Sequence, residues 1–339
     1  MQVQAVGEFA LIARLQQRLP PPQEARVVCG IGDDCAVLRL PAGSDLLLTT
    51  DTQEEEVHFR RAWATPEDIG WRCLAVNVSD IAAMGGMPVA AVVALSLPPD
   101  LEVAFVEGLY DGLQAVATAY SCPIVGGNVS KTAGKLAVTI SVLGEVPRGQ
   151  ALRRSGARVG DEIWVTGTLG EAKAGLEALR HAPRLAGLAT ERVCERYRRP
   201  RPRLHEAWYL REHGGLHSLI DLSDGLSSDL AHICQASGVG AVLEAAQLPL
   251  AEETRRVAAA LGADPLAYAL HGGEDFELCF TAPPGRIAPL QADFTRRFQC
   301  PLTRVGYICA GRGVTLQLPD GRCHPLPVAG YDHFQAATP

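Results

Sequence analysis

Apolar residues at Phe9, Ile12, Leu15 and Leu19 recur at helical spacing, which predicts an amphipathic helix within residues 1–20. Extended runs follow around Val27–Val28, Cys35–Leu40 and Asp45–Asp51. Thr65 with Asp68 three residues on forms a capping box, and Pro66 suits the first helical turn. That helix is predicted to run toward Met84. Val89–Leu97 is a continuous valine-rich apolar run, the pattern of a buried strand. Asp100 is expected to cap a second long helix reaching about Tyr120, with strands at Cys122–Val125 and Lys135–Val146. The run from Pro147 to Gly160 is rich in Gly and Arg and reads as a domain boundary, which divides the chain into residues 1–147 and 148–339. A second alternation then begins. It has strands at Glu162–Thr166, Leu216–Leu222, Ala241–Glu244, Phe276–Thr281 and Arg304–Cys309, and helices at Leu169–Leu179 and from about Gly225 to Ala236. Arg196–Arg203, with its prolines, reads as a linker. The pattern predicts a two-domain α/β (α+β) protein, with an N-terminal sheet carrying helices on one face and a C-terminal α/β domain.

Length and composition agree. A chain of 339 residues, 47% hydrophobic and 20% charged, is globular and long enough for two domains. The net charge of −7, with no basic stripe, argues against a nucleic-acid partner. Residues 81–99 carry no charge over 19 residues, but Gly85, Gly86, Pro88 and Pro98 break them, so no membrane span is expected. The ten cysteines form no CxxC pair or His/Cys cluster, and most sit in apolar contexts. A reducing compartment, the cytoplasm, is the expected location, and no signal peptide is read at the N-terminus.

The candidate chemistry is carried by carboxylates at the ends of apolar runs. In Gly30-Ile31-Gly32-Asp33-Asp34, two glycines let the chain bend and two adjacent carboxylates follow. A polar turn accounts for this, and so does a divalent cation that neutralises the charge. Asp51 closes LTTD, Asp80 closes VNVSD, and Asp221 and Asp224 stand in DLSDGL. Dispersed carboxylates of this kind suit magnesium, which takes a few of them together with waters and phosphates. Ser223 or Asp224 is expected to cap the helix that follows, whose start would attract an anion, while Asp229 is expected to do no more than cap. Gly126-Gly127-Asn128-Val129-Ser130 reads as a loop whose N–H groups could cradle phosphate, and His271-Gly272-Gly273-Glu274-Asp275 as a tight turn or a ligand loop. There is no Walker A, kinase catalytic-loop or GxSxG pattern.

GIGDDCAV, LTTD followed by VHF, LAVNVSDIAAMGGMP, a Gly-Gly segment, RSGARVGD, VTGTLG, DLSDGLSSDL, GGEDFEL and GYDHF occur in that order. In that order they resemble the thiamine-monophosphate kinase family, within the superfamily of aminoimidazole-ribonucleotide synthetase and selenophosphate synthetase. The resemblance spans Gly7 to Phe334. It implies a mixed N-terminal sheet that binds ATP and magnesium and forms a homodimer, and a C-terminal domain that completes the nucleotide and substrate site. It implies ATP-dependent phosphorylation of thiamine monophosphate to thiamine diphosphate, by direct in-line transfer assisted by several magnesium ions. Asp34, Thr49, Thr50, Asp51, Asp80, Asn128, Asp221 and Asp224 match metal ligands, with Asp51, Asp80 and Asp221 central to catalysis. Gly127, Asn128, Arg154 and Ser223 match nucleotide contacts, and His58, Glu274 and Tyr331 match contacts to the thiamine phosphate. Two departures stand out: Asn128 replaces the family's usual Asp after Gly-Gly, and a small residue is usual near Glu56. The alternatives are another ATP-dependent synthetase of the superfamily and a nucleotide-binding regulator without catalysis. The acceptor phosphate is already anionic, so no general base is required, and the absence of an evident base–nucleophile pair is consistent with phosphoryl transfer.

Overall fold

The structure is a computed structural model that describes residues 2, 5, 8–19, 27–29 and 37–330. They fall into two compact units, one within residues 1–81 and 86–151, the other within 82–85 and 152–339.

The first unit carries helix α1 (Glu8–Arg18) and a two-stranded ladder of β1 (Val27–Cys29) and β2 (Val37–Leu38). Its main sheet comprises β3 (Ser44–Glu54), β4 (Met87–Leu97), β5 (Ile124–Lys131) and β6 (Ala137–Pro147), in the order β3-β6-β4-β5. The β3/β6 and β6/β4 pairs are antiparallel and β4/β5 is parallel, so the sheet is mixed. Along β3, Leu47 and Gln53 are buried while Leu46, Leu48, Thr50 and Thr52 are exposed. The same period of two runs through β6, where Val138, Ile140 and Val142 are buried. Helices α2 (Pro66–Ala83) and α3 (Val103–Ala119) belong to this unit. The opposite face is open and shows Leu46, Leu48 at 70% exposure and Val92.

The capping box fixes the start of α2. Thr65 N–H donates to Asp68 Oδ2 at 3.1 Å, and Asp68 N–H donates to Thr65 Oγ1 at 3.2 Å. Asp100 does not cap α3. That helix begins at Val103 behind Glu102, which makes no side-chain cap bond, because the Pro98–Leu101 turn takes up the intervening residues. Glycines set the closeness of α2 and α3. A Cβ on Gly70 would fall 1.9 Å from the Leu109 carbonyl oxygen, and one on Gly112 would fall 2.0 Å from that of Glu67. Helix α1 is tied to α3 by Arg14–Glu107 at 2.7 Å and Arg18–Asp111 at 2.8 Å.

The second unit holds seven strands: β7 (Glu162–Thr166), β8 (Ser218–Asp221), β9 (Gly240–Glu244), β10 (Leu278–Ala282), β11 (Leu302–Cys309), β12 (Gly313–Gln317) and β13 (Cys323–Leu326). Their order is β13-β12-β9-β11-β7-β10-β8, antiparallel except for β12/β9. One core joins Ile163, Ile220, Leu230, Ile233 and Leu243, among others, so that α7 (Leu226–Ser237) packs on the sheet. A second cluster packs α4 (Glu171–Arg180), α5 (Glu191–Arg198) and α8 (Glu252–Leu261). Helices α6 (Leu204–His213), α9 (Pro265–His271) and α10 (Gln291–Phe298) complete the unit. Arg196–Arg203 is not a linker. Arg196 reaches Glu171 at 3.4 Å, and Arg203 is 8% exposed at the threshold of α6.

Because α2 and α3 touch through backbone at Gly112, Gly112→Ala should overpack the contact and cost about 1–3 kcal/mol. Urea unfolding should show a lower midpoint with an unchanged slope. An unchanged midpoint would mean that the two helices separate without cost.

Candidate active site

In the first unit, α2 lies antiparallel along β3. The Thr49 hydroxyl donates to Asp80 Oδ2 at 2.5 Å, and Arg72 Nε donates to the Gln53 side chain at 3.0 Å. The eight residues from Arg72 to Asp80 advance about 12 Å along a helix. The four from Thr49 to Gln53 advance about 13 Å along a strand, so the two elements stay in step. Asp51 stands between Thr49 and Gln53 on the same face. Thr49 and Asp80 are therefore brought together, with Asp51 one strand period further along the same face of β3. Thr50 is not, because the alternation of the strand turns it to the open face. There it donates to the Ile140 carbonyl at 3.1 Å and accepts from Ser141 Oγ at 3.0 Å. Its side chain cannot join Asp51 and Asp80, which leaves it only a backbone oxygen for that group.

Gly126-Gly127-Asn128 is not a loop. It lies inside β5, with Gly127 opposite Val93 and Asn128 opposite Ala94. A Cβ on Gly127 would sit 2.0 Å from the Val93 carbonyl oxygen, so strand pairing itself demands glycine there. Asn128 shares the open face with Ser96 and Ser130, whose hydroxyls are 3.4 Å apart. The structure thus does not bring the Asn128 side chain to Asp51 and Asp80. β5 is the edge strand, and a small cleft along it is lined by Leu15, Tyr110 and residues 126–129.

His58 follows β3 in a turn closed at both ends. Its Nδ1 accepts the Glu54 N–H at 3.0 Å, and its own N–H donates to the Glu54 carbonyl at 2.9 Å. An accepting Nδ1 places the proton of a neutral imidazole on Nε2, which is then the donor. Glu56, inside this turn, has φ 73°, a conformation that favours glycine.

In the second unit, β8 ends at Asp221, which is 4% exposed. Neither Ser223 nor Asp224 caps α7. The cap is Gly225 at φ 114°, and the Asp229 carboxylate reaches back to accept the N–H groups of Asp224 at 3.2 Å and Gly225 at 3.0 Å. Burial pushes the Asp229 carboxyl well above its ordinary range, and the charges of Asp221 and Asp224 push it further. Carboxylates that crowd one another in this way suit a divalent cation. Among the described residues no three His, Cys, Asp or Glu side chains close on a metal by themselves. Asp221 and Asp224 offer hard oxygen donors of the kind that could hold magnesium, which takes a few carboxylates together with water and phosphate oxygens.

The GGEDFE segment is laced to this loop. Glu274 N–H donates to the Ser223 carbonyl at 2.7 Å and Phe276 N–H to the Leu222 carbonyl at 2.9 Å. Ser223 and Glu274 are therefore neighbours. Asp275 caps α4, accepting the N–H of Gly170 at 2.6 Å and Ala172 at 3.1 Å, and its burial raises its pKa to about 7. Glu277 binds Arg203 and Thr166. These last roles were missed in the sequence, although the alternation Asp275, Glu277 through a strand start offered a signal. The exposed Arg154 follows Arg153, whose carbonyl accepts the Leu219 N–H at 2.9 Å beside β8. Gly330 closes on the same loop: a Cβ there would be 2.7 Å from the Asp224 carbonyl oxygen. Asp34 and Tyr331 lie outside the described residues.

Residues 32–146 match the AIR synthase related protein N-terminal domain, and residues 158–319 match the C-terminal domain. Thiamine-monophosphate kinase of Escherichia coli (strain K12) is 40% identical over 336 residues, which cover 99% of this chain and 100% of that one. The crystal structure of thiamine-monophosphate kinase from Stenotrophomonas maltophilia K279a has 39% identity and a TM-score of 0.81, covering 93% of this chain and 97% of that one. The structure of AaThiL complexed with AMPPCP and TMP has 36% identity and a TM-score of 0.77, covering 98% and 99%. With both domains matched and relatives of this identity aligned from end to end, the chain belongs to the thiamine-monophosphate kinase family.

Proposed function

We propose that the protein transfers the γ-phosphoryl group of ATP to the phosphate of thiamine monophosphate, giving thiamine diphosphate and ADP. The observation that carries this reading is the end-to-end match to an enzyme of that name, at 40% identity over 99% of the chain. AaThiL, 36% identical, holds AMPPCP and TMP, which supports ATP as the phosphoryl donor here.

Each unit presents its own candidate residues. In the first, Thr49 and Asp80 meet at one end of the α2–β3 contact, and Asp51 follows on the same face of β3. In the second, Asp221 and Asp224 flank the start of α7. Several magnesium ions, when bound, supply the positive charge that lets two polyanions approach and aligns an in-line displacement. Asp34, which the family resemblance places with these ligands, would join them. Gly127, Arg154 and Ser223 hold the nucleotide, with Gly127 contributing backbone only. His58 offers its Nε2–H to an acceptor oxygen, and Glu274 and Tyr331 orient the thiamine portion. Thr50 and Asn128 act from the open face. A homodimer formed through that face would cover Leu46, Leu48 and Val92, which are otherwise exposed. A cytoplasmic location is supported by the described cysteines, which are all free and mostly buried.

The direct test is purified protein with a panel of phosphate acceptors, ATP and magnesium, following ADP. Thiamine monophosphate should be the preferred acceptor, and product should vanish in excess chelator. Equal product formation in chelator would rule out magnesium assistance, and preference for another acceptor would point to another synthetase activity.

Asp80→Asn should fold, because the amide oxygen still accepts the Thr49 hydroxyl. Loss of its charge should lower kcat by about 10²–10³, the range seen when one electrostatic contact is removed. A near-normal rate, or a protein that fails to fold, would make Asp80 structural.

A further inference from the structure

Glu274 stands in a backbone that resists its own conformation. Gly273, Glu274 and Phe276 have φ of 66°, 61° and 49°. Side chains are disfavoured in that region, so such a segment persists only where its surroundings over-determine it. Two backbone bonds run from the segment to Ser223 and Leu222, and the Asp275 carboxylate runs to the start of α4. The remaining tie is Glu277. Its carboxylate accepts from Arg203 Nε at 2.7 Å and from Arg203 Nη2, and from Thr166 Oγ1 at 2.7 Å. Its carbonyl accepts the Leu222 N–H at 2.8 Å, while Leu278 N–H donates to Thr166 Oγ1 at 2.8 Å. Arg203 also donates to Glu206 at 3.2 Å. Gly167 leaves room for this carboxylate, since a Cβ there would fall 2.2 Å from it.

We infer that Arg203 is a positioning residue of the kinase site: its two-pronged grip on Glu277 holds residues 273–277 so that Glu274 keeps its place beside Ser223. The inference rests on the proposed function, in which Glu274 contacts the acceptor. Arginine is suited to this because its planar fork matches a carboxylate at two points, whereas lysine offers one compact charge. The fork acts at Glu277, three residues from Glu274, and touches neither substrate. Ser223 is bonded to this segment through its carbonyl but also follows directly on β8, a second tie that Arg203 does not supply, so the acceptor side of the site depends on Arg203 more than the nucleotide side does.

The test compares wild type with Arg203→Lys and with the double variant Arg203→Met/Glu277→Met, by steady-state kinetics on thiamine monophosphate and ATP and by thermal melting. Apolar residues of similar volume often replace a buried ion pair without loss of stability, and burial raises the Glu206 pKa, which lets it become neutral once Arg203 is gone. The double variant thus separates stability from positioning. KM for thiamine monophosphate should rise about tenfold or more in both variants, the scale of one lost charge-assisted hydrogen bond. KM for ATP should change less, and the double variant should melt near the wild-type temperature. Wild-type KM for thiamine monophosphate in the folded double variant overturns the inference and makes the pair purely a stabilising one. An equal rise in both KM values also overturns it. Wild-type protein that gives no turnover with thiamine monophosphate overturns the functional reading, and the inference with it.

Discussion

Like charge gathered around one helix start is the constraint on which the second unit depends. Asp221, Asp224 and Asp229 converge at the beginning of α7, and the first two raise the pKa of the third. Three carboxylates in such a place would repel one another at high cost in a medium of low dielectric. Part of that cost is met inside the protein. Asp229 takes the N–H groups of Asp224 and Gly225, and the α7 dipole adds partial positive charge. A cation at this point would lower the cost further, which is the physical argument behind proposing Asp221 and Asp224 as magnesium ligands. Gly225 at φ 114° lets the chain turn tightly enough for one carboxylate to reach two consecutive amides.

The first unit reaches a comparable arrangement by matching two periodicities. A helix and an antiparallel strand share one length of contact, so a polar pair forms at each end and Asp51 stands between them. The capping box makes this possible, because it fixes where the first turn of α2 begins and hence which face Asp80 presents. A helix shifted by one residue would swing Asp80 by about 100° away from Thr49.

Much of this was legible in the sequence. The Thr65–Asp68 box, the buried β4 run and the strand ending at Asp221 carry local signals that tertiary contacts do not override. The failures have local explanations. Arg196–Arg203 reads as a linker because arginine and proline are usually solvent-facing, and only the fold reveals a buried carboxylate at Glu277 waiting for Arg203. Gly126-Gly127 reads as a loop because two glycines break most strands. Here the close approach of the Val93 carbonyl demands one of them. The family resemblance places Thr50 with Thr49 and Asp51, whereas a strand separates the side chains of adjacent residues onto opposite faces. The small residue usual near Glu56 also finds its reason in the fold, in a turn at φ 73° that glycine fills without strain. The short helices α5, α6, α8, α9 and α10 were not read at all. They are each ten residues or fewer and draw their stability from packing, which a one-dimensional pattern does not display.

Asn128 takes on a different meaning once its face is known. A carboxylate at that point on the open sheet would need a cation beside it, or would pay the cost of desolvation if a second copy covered the face. An amide keeps the hydrogen-bonding capacity and removes the charge. Its neighbours on that face are the hydroxyls of Ser96 and Ser130, with exposed Val92 on the adjoining strand. Asn128 therefore leaves the open face without a charge at that point. Asp51 and Asp80 lie on the other side of the sheet, where α2 packs.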